Sequence, residues 1–319
     1  MAPLRPEVLL LSSKFDYSTD HIAYRLHHSG VPYLRLNRDQ FQEMSLTLEA
    51  IPARLYGTVG SIEFEISSER LRSVYFRAPV FLRDNYQPAI GADEQFARSQ
   101  WAAFIRSLTV FCAARWLNHP MAVYQAEVKP YQLRVASSVG FQIPRTIITN
   151  DNQRCHNFFD EEAIIAKTLD SVVLRAGDNE AFIYTSLVPK SEFLNGSIAI
   201  APIIAQQPLL PKMDIRVTVV GDQIFPVEIT SLNGEKCPVD WRLQKKDLVY
   251  RRHQLPIEVA QACVQVTRDL GLSFGGIDLV KTEQGYWFIE INPTGEWSWL
   301  MEPTGYQIDE AIGHWLLAE

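Results

Sequence analysis

Two carboxylates and one amide are predicted to share one face of a β-hairpin near the C-terminus. Residues 274–296 read FGGIDLVKTEQGYWFIEINPTGE, in which two apolar runs flank a polar turn. A three-residue loop at 283–285 would place Asp278 opposite Glu290, because both are equally far from the middle of that loop. Side chains alternate along a strand, so Asn292 lies on the same face as Glu290. The spacing therefore predicts that the three side chains converge.

These three oxygen donors suit a hard divalent cation. Two neighbouring buried carboxylates repel each other and cost several kcal/mol per ion unless they are neutralised. Carboxylate and amide oxygens are the ligands that Mg²⁺ or Mn²⁺ prefers, and Mg²⁺ commonly shares its shell with substrate phosphates. A sheet edge with its acids in water is the alternative, but the remaining residues of both strands are almost all apolar. The pattern favours a metal site.

Basic residues inside apolar strands indicate an anionic ligand. Lys167 lies within the run IIAKTL and Arg216 within DIRVTVV. Phosphate is one natural partner for such a lysine, and arginine suits bidentate contact with phosphate or carboxylate. A sheet-edge side chain pointing to water is an equally good explanation for either residue alone. Lys129, which precedes a helix, and a loop around Gly177 add to the set, because loop N–H groups can cover phosphates. Together they predict a metal–nucleotide site.

The elements that must position these residues have an α/β pattern. A strand at 7–12, a helix from the cap residues 18–20 to residue 28 and a strand at 31–36 predict a small domain with parallel strands. Residues 214–220 and 223–229 predict a hairpin around Gly-Asp. An amphipathic helix is predicted at 99–116. Its apolar side is more simply core than a homodimer interface, although a homodimer is an alternative.

Composition excludes several classes of function. The net charge of −7 argues against a general nucleic-acid binder. No apolar run reaches membrane-spanning length, and the first residues do not resemble a signal peptide. The four cysteines are scattered, with no CxxC pair, which fits a reducing compartment better than a zinc site or a disulfide framework. We therefore expect a cytoplasmic protein with neither a membrane nor a nucleic acid as partner.

The order and approximate spacing of the singled-out residues resemble the ATP-grasp fold. The motif residues are Lys129, Lys167, Gln206, Gln207, Lys212, Asp214, Arg216, Asp278, Glu290 and Asn292. The resemblance implies an α/β (α+β) ATP-grasp fold, with an N-terminal α/β pre-ATP-grasp domain at 1–117 and an ATP-grasp domain at 118–319. The latter would divide into a central subdomain at 118–205 and a C-terminal subdomain at 206–319.

Within that fold, the chain is most similar to the microviridin-type (graspetide) ligases, which macrocyclise ribosomal peptides. The narrower likeness rests on the segments 118–120 (NHP), 144–146 (PRT), 240–242 (DWR) and 292–297 (NPTGEW). One departure lies in the hinge strand, where such ligases commonly carry Gln-Glu and this chain has Gln-Gln-Pro at 206–208. The proline follows the position where backbone contacts to adenine are expected.

The resemblance implies roles for individual residues. Lys129 and Lys167 would contact ATP phosphates, and Gln206 and Gln207 would border adenine. Arg216 would stabilise the transferred phosphoryl group and the tetrahedral intermediate. The remaining implied assignments are Lys212 and Asp214 at the nucleotide, Asp278, Glu290 and Asn292 on one or two Mg²⁺ (with Mn²⁺ as an alternative), and Asp240 and Arg242 at the substrate, where a purely structural Asp–Arg pair is the alternative.

The resemblance also implies a reaction and a partner. An Asp or Glu carboxylate of a precursor peptide, with a leader and an acidic core, would be activated as an acyl phosphate and joined to a Ser or Thr hydroxyl or a Lys amine. Two other readings remain open. One is a small-molecule carboxylate–amine ligase similar to glutathione synthetase or D-alanine–D-alanine ligase, and the other is a nucleotide-binding regulator without ligase activity.

Overall fold

The computed structural model describes residues 2–77, 92–169, 173–176, 179–195, 198–232, 239–241 and 247–318. The predicted Gly177 loop and Arg242 lie outside these residues. The strands are β1 (Val8–Ser12), β2 (Tyr33–Asn37), β3 (Met44–Ala50), β4 (Ala53–Val59), β5 (Ile62–Ser67), β6 (Ser73–Phe76), β7 (Arg115–Leu117), β8 (Thr146–Thr149), β9 (Ala163–Lys167), β10 (Val173–Ala176), β11 (Asn179–Phe182), β12 (Ser186–Pro189), β13 (Ile203–Gln206), β14 (Met213–Val220), β15 (Gln223–Ser231), β16 (Leu248–Arg252), β17 (Phe274–Thr282) and β18 (Gly285–Asn292). The helices are α1 (Tyr17–His28), α2 (Ala92–Ser107), α3 (Pro120–Ala126), α4 (Lys129–Ser138), α5 (Asn152–Phe158), α6 (Glu192–Asn195), α7 (Ile257–Asp269), α8 (Met301–Thr304) and α9 (Ile308–Leu317).

The N-terminal region contains the predicted parallel sheet, with strand order β2-β1-β6-β7. All five residues of β1 are buried, as expected for a parallel strand covered on both faces. Helix α1 begins earlier than predicted, because Asp16 is the N-cap and its side chain accepts a hydrogen bond from the backbone N–H of Thr19 at 3.1 Å. Strands β3, β4 and β5 form a separate antiparallel meander.

The predicted helix at 99–116 is wrong at its C-terminal end. Helix α2 ends at Ser107, and residues 115–117 instead form β7, which pairs with β6 in parallel. Trp116 and Leu117 are both buried, but they pack into different hydrophobic clusters. Successive side chains of a strand point to opposite faces of the sheet, so β7 can place these two neighbours in different clusters.

A five-stranded antiparallel sheet, with order β16-β15-β14-β17-β18, forms the largest C-terminal unit. Side chains of β14 alternate between its two faces. Ile215, Val217 and Val219 pack with α4 and α7 into one core. Arg216 and Asp278, which pair across β14 and β17, lie on the opposite face. The far end of that face packs against α1, β1 and α9. The polar site therefore rests on a sheet that is anchored on both sides.

A smaller four-stranded antiparallel sheet, with order β12-β9-β13-β8, lies between the two larger units in the chain. Its own core contains Cys155, Phe159, Ile164, Phe193 and Ala205. Helices α3 and α4 pack with the large sheet instead. The division of the chain near residues 117 and 205 remains a prediction. No helix in the described part of the chain is both long and apolar enough to cross a membrane.

Candidate active site

The paired carboxylates lie where the sequence predicts them, but the hairpin reaches that register differently. Thr282 pairs with Gly285, so the turn has two residues rather than three. Counting back from that turn would place Ile289 opposite Asp278. A β-bulge next to Asp278 shifts the register by one residue, and Asp278 pairs with Glu290. The bulge is therefore what brings the two carboxylates together.

Asn292 completes this group on the same face. Its amide nitrogen lies 3.3 Å from Oδ2 of Asp278 and 3.3 Å from Oε1 of Glu290. A half-turn of the amide would present its oxygen to the same point, because its oxygen and nitrogen are bonded to the same planar carbon. Among the described residues, no group of three or more His, Cys, Asp or Glu could hold a metal. Two carboxylates and an amide fit Mg²⁺ when phosphates and waters complete its shell.

Basic side chains neutralise the acids of the site. The ammonium of Lys129 donates to Glu290, and Nη1 of Arg216 lies 2.9 Å from Oδ1 of Asp278. Lys212 lies 2.6 Å from both carboxylate oxygens of Asp214. Burial raises the pKa of Asp214, and the Lys212 charge acts against that rise. Acidic and basic side chains therefore alternate in the site. An anionic ligand can bind there by taking the place of a carboxylate as the partner of a basic side chain.

The Arg216 side chain has one hydrogen-bond donor, Nε, that is not used within the described residues. Its side chain is only 8% exposed. The Nε atom is buried and has no hydrogen-bond partner among the described residues. Leaving such a donor unsatisfied costs about 1–3 kcal/mol, so an oxygen ligand at this point would be stabilised. The arrangement fits an arginine that binds oxyanions.

Lys167 contacts a neutral amide rather than a carboxylate. Its ammonium donates to Oε1 of Gln206 at 2.8 Å, and Gln206 donates in turn to Oγ1 of Thr146 at 2.9 Å. Burial lowers the pKa of Lys167 to about 8, and the nearby Glu290 charge partly opposes that shift. A cation held in this way is available to a phosphate. Gln207 follows the last residue of β13, and its N–H donates to the Arg145 carbonyl at 2.9 Å.

Two cavities, of about 100 and 560 Å³, meet at Lys167, Gln206, Ile289 and Glu290. The smaller cavity lies between the small and large sheets. Its walls include Ile165, Gln207, Leu209, Leu210, Lys212, Asp214, Asp240, Asp278 and Leu279. Apolar walls with a few convergent polar groups are typical of sites for small molecules. Eleven of the twelve residues singled out from the sequence line these two cavities or contact a residue that does. Arg216 contacts Asp278 and Asn292 contacts Glu290, whereas Arg242 lies outside the described residues.

Asp240 lines the smaller cavity. It is 4% exposed, and its Oδ2 accepts a hydrogen bond from the backbone N–H of Thr185 at 3.1 Å. The preceding carbonyl, of Val239, accepts from Lys212 at 3.0 Å. These contacts tie Asp240 to both sheets. The predicted pairing of Asp240 with Arg242 is outside the described residues and remains a prediction.

The sequence analysis did not single out Gln132, whose side-chain amide joins α4, the helix of Lys129, to β18, the strand of Glu290. Gln132 is 2% exposed, its Oε1 accepts from the backbone N–H of Ile291 at 3.1 Å, and its Nε2 donates to the Ile291 carbonyl at 2.9 Å. These two hydrogen bonds fix α4 against β18 and so hold Lys129 beside Glu290. The signal in the sequence was a glutamine on the otherwise apolar side of a helix. That signal can be interpreted only when the strand that packs against the helix is known.

Comparisons with known proteins agree with this geometry. Residues 133–316 match the family described as the RimK-like ATP-grasp domain. A search of curated proteins gave no match. Macrocyclase MdnC from Microcystis aeruginosa MRC, solved with precursor peptide MdnA, is similar with a TM-score of 0.81 and 23% identity, over 98% of this chain and 100% of that one.

Two further solved structures cover nearly the whole chain. A RiPP-associated ATP-grasp ligase from Chryseobacterium gregarium, in complex with ADP and a leader and core peptide, has a TM-score of 0.82 and 22% identity, over 98% of this chain and 96% of that one. Macrocyclase MdnB from Microcystis aeruginosa MRC has a TM-score of 0.74 and 27% identity, over 98% of this chain and 100% of that one. The similarity therefore includes the N-terminal region that precedes the family match.

Proposed function

The chain belongs to the RimK-like ATP-grasp family and is an ATP-grasp ligase, and from this premise we propose that it forms side-chain ester or amide macrocycles in a ribosomally made precursor peptide. The observation that carries the ligase chemistry is the convergence of Asp278, Glu290 and Asn292 opposite Lys129 and Lys167. The peptide substrate is supported by likeness along the whole chain to macrocyclases MdnC and MdnB, one of them solved with its precursor peptide.

In this proposal ATP occupies the cavities between the small and large sheets. Gln206 and Gln207 border the adenine, while Lys129 and Lys167 contact the phosphates. Lys212 and Asp214 line the same space near the nucleotide. Asp278, Glu290 and Asn292 would hold Mg²⁺, which when bound neutralises phosphate charge. Because Lys129 and Arg216 already pair with two of these acids, their charges remain balanced before the nucleotide enters.

The chemistry follows from the poor leaving group of a carboxylate. An oxygen of the peptide Asp or Glu side chain attacks the γ-phosphorus of ATP, the bond to the β-phosphate oxygen breaks, and ADP leaves. A hydroxyl or amine of the same peptide then attacks the acyl carbon, and phosphate leaves with an ester or amide as product. The guanidinium of Arg216, with its unpartnered Nε, would donate to the oxygens on which negative charge develops.

Asp240 is proposed to orient the substrate or to accept the proton of the attacking group, together with Arg242. Its position supports this role, because Asp240 lines the smaller cavity and accepts a hydrogen bond from the Thr185 backbone. Aspartate is one of the side chains that can accept a proton from an attacking hydroxyl or amine. We retain the proposed division into a pre-ATP-grasp domain and two ATP-grasp subdomains, with the nucleotide between the latter.

The proposal is tested by incubating the protein with ATP, Mg²⁺ and an acidic candidate precursor peptide that carries its leader. Each macrocyclic bond should remove the mass of one water from the peptide and release one ADP. A matched peptide in which the core Asp and Glu residues are Asn and Gln should undergo neither change. ADP release that requires free amino acids, with no loss of peptide mass, would instead identify a small-molecule ligase.

A further inference from the structure

The guanidinium of Arg216 lies in a slot between two glycines. Gly276 lies two residues before Asp278 on the same face of β17. A Cβ atom added at Gly276 would lie 2.5 Å from Cζ of Arg216, a separation that real Cβ atoms essentially never show. A Cβ added at Gly295 would collide with Nη2 of the same side chain. The two glycines therefore flank the planar group at van der Waals distance.

The need for glycine here is steric. Neither Gly276 nor Gly295 has a positive φ, so any residue could adopt their backbone conformations. What a larger residue could not do is leave room for the guanidinium. Each position also faces the same group, although the two glycines are far apart in the sequence and belong to different elements, β17 and the loop after β18.

The walls of the slot are fixed. Gly276 lies between β14 and β18, where the neighbouring ladders hold it on both sides. The loop that carries Gly295 is clamped by Arg77, whose Nη1 donates to the carbonyls of Thr294 at 2.8 Å and Gly295 at 3.0 Å. Arg77 is itself held by the α1 cap residue Asp16, at 3.0 Å. A new side chain in the slot would therefore displace Arg216 rather than the backbone.

We propose that Gly276 and Gly295 are positioning residues that hold the guanidinium of Arg216 in the orientation where Nη1 binds Asp278. Arg77 extends this function to the N-terminal sheet, because it keeps the Gly295 wall in place. An effect of the two glycines on catalysis rests on the role proposed for Arg216 under Proposed function. The steric slot does not depend on that role.

The test is a double-mutant cycle between Gly276→Ala and Arg216→Ala, with two measurements. The first is the denaturant midpoint, which reports the steric conflict without reference to function. The second is the affinity for Mg²⁺, ADP and aluminium fluoride, a mimic of the transferred phosphoryl group, compared with Mg²⁺ and ADP alone. Gly313→Ala on α9 is the matched control, because a Cβ there meets Arg25 at an ordinary 3.6 Å.

We expect Gly276→Ala to lower the midpoint when Arg216 is present and to leave it unchanged in the Arg216→Ala background. It should weaken binding of the fluoride complex about a hundred-fold, as expected for a misplaced catalytic group, and leave ADP binding unchanged. In the Arg216→Ala background it should add nothing to the loss. Gly295→Ala should also lower the midpoint more when Arg216 is present, but part of its loss should remain in the Arg216→Ala background, because a Cβ there also lies 3.2 Å from Cβ of Asn292.

If Gly276→Ala lowers the denaturant midpoint equally with and without Arg216, the proposed slot is wrong. An unchanged affinity for the fluoride complex in Gly276→Ala, while Arg216→Ala weakens it, would overturn the positioning role. If Arg216→Ala itself leaves that affinity unchanged, the role proposed for Arg216 fails, and the midpoints alone decide whether the slot exists.

Discussion

Replacement of Arg216 by alanine should slow turnover far more than it weakens nucleotide binding. The side chain is 8% exposed, and its Nη1 lies 2.9 Å from Asp278, so the guanidinium is fixed before the substrate arrives. Removing one preorganised donor to developing charge typically costs about 10²–10³ in rate, or about 3–4 kcal/mol. We therefore expect the rate of ADP formation with a peptide substrate to fall about a thousand-fold.

The same change should reduce the stability of the ATP-free protein. Asp278 loses its cationic partner, and breaking a buried pair costs about 3–5 kcal/mol. The Asp278 side chain is 24% exposed, so we expect a smaller loss, of about 2 kcal/mol. Mg²⁺ and ATP should restore part of it, because they would supply positive charge to the carboxylate.

The assay is ADP formation at saturating ATP together with calorimetric measurement of ATP affinity. Arg216→Lys keeps the charge but lacks the planar fork, and should recover only a small part of the rate. Arg98→Ala is the matched control, since Arg98 forms a surface pair with Glu94 on α2. An Arg216→Ala enzyme that turns over normally at saturating ATP, with only its ATP affinity reduced, would refute the transition-state role.

Three further predictions concern the proposed metal site, Lys167 and Asn118. Glu290→Gln combined with Asn292→Ala should abolish ADP formation while circular dichroism remains native, because the proposed cation would keep one carboxylate ligand. Raising the pH above about 8 should weaken ATP binding about ten-fold per pH unit, since Lys167 is then neutral before ATP binds and must take up a proton; Lys167→Arg should remove this dependence. Asn118→Ala should lower the free energy of unfolding by about 3 kcal/mol in denaturant titrations, because the Asn118 amide donates to the Phe274 and Pro293 carbonyls at 2.8 Å and its oxygen accepts from two backbone N–H groups.

Each of these predictions has a contrary outcome. Normal turnover in the Glu290 and Asn292 double variant would remove the metal-site assignment. An ATP affinity that stays constant from pH 7 to 9 in the unaltered protein would show that Lys167 is not the phosphate ligand that titrates near pH 8. A loss below about 1 kcal/mol for Asn118→Ala would mean that water satisfies the freed backbone groups.

The hairpin of β17 and β18 shows how much of the site can be predicted from the sequence. Strand alternation predicts that Glu290 and Asn292 share a face, because the period of two is a property of any strand. The pairing of Asp278 with Glu290 is also confirmed. The predicted three-residue turn is wrong, however, and a bulge compensates for the missing residue. A bulge depends on what its extra residue packs against, here Ile289 in the wall of both cavities, and that environment is absent from a local pattern.

Contacts between distant segments were beyond the reach of local patterns. The start of α4 is predicted by Pro130, since proline suits the first turn of a helix. The side of α4 that faces β18 depends on Gln132, whose partner is 159 residues away. The same holds for Arg77, which contacts a loop 217 residues further along the chain. Amphipathic periodicity likewise continued through β7, because a short buried strand carries the same apolar residues as the end of a helix.

The central claim is that a peptide carboxylate becomes an acyl phosphate at the site formed by the two sheets. The most direct test uses a precursor peptide whose Asp and Glu side chains carry heavy-isotope oxygen, incubated with unlabelled ATP and Mg²⁺. Our account predicts that each bond formed transfers one labelled oxygen to the released phosphate, because the carboxylate oxygen leaves with the phosphoryl group. Macrocyclic product accompanied by unlabelled phosphate would contradict the account.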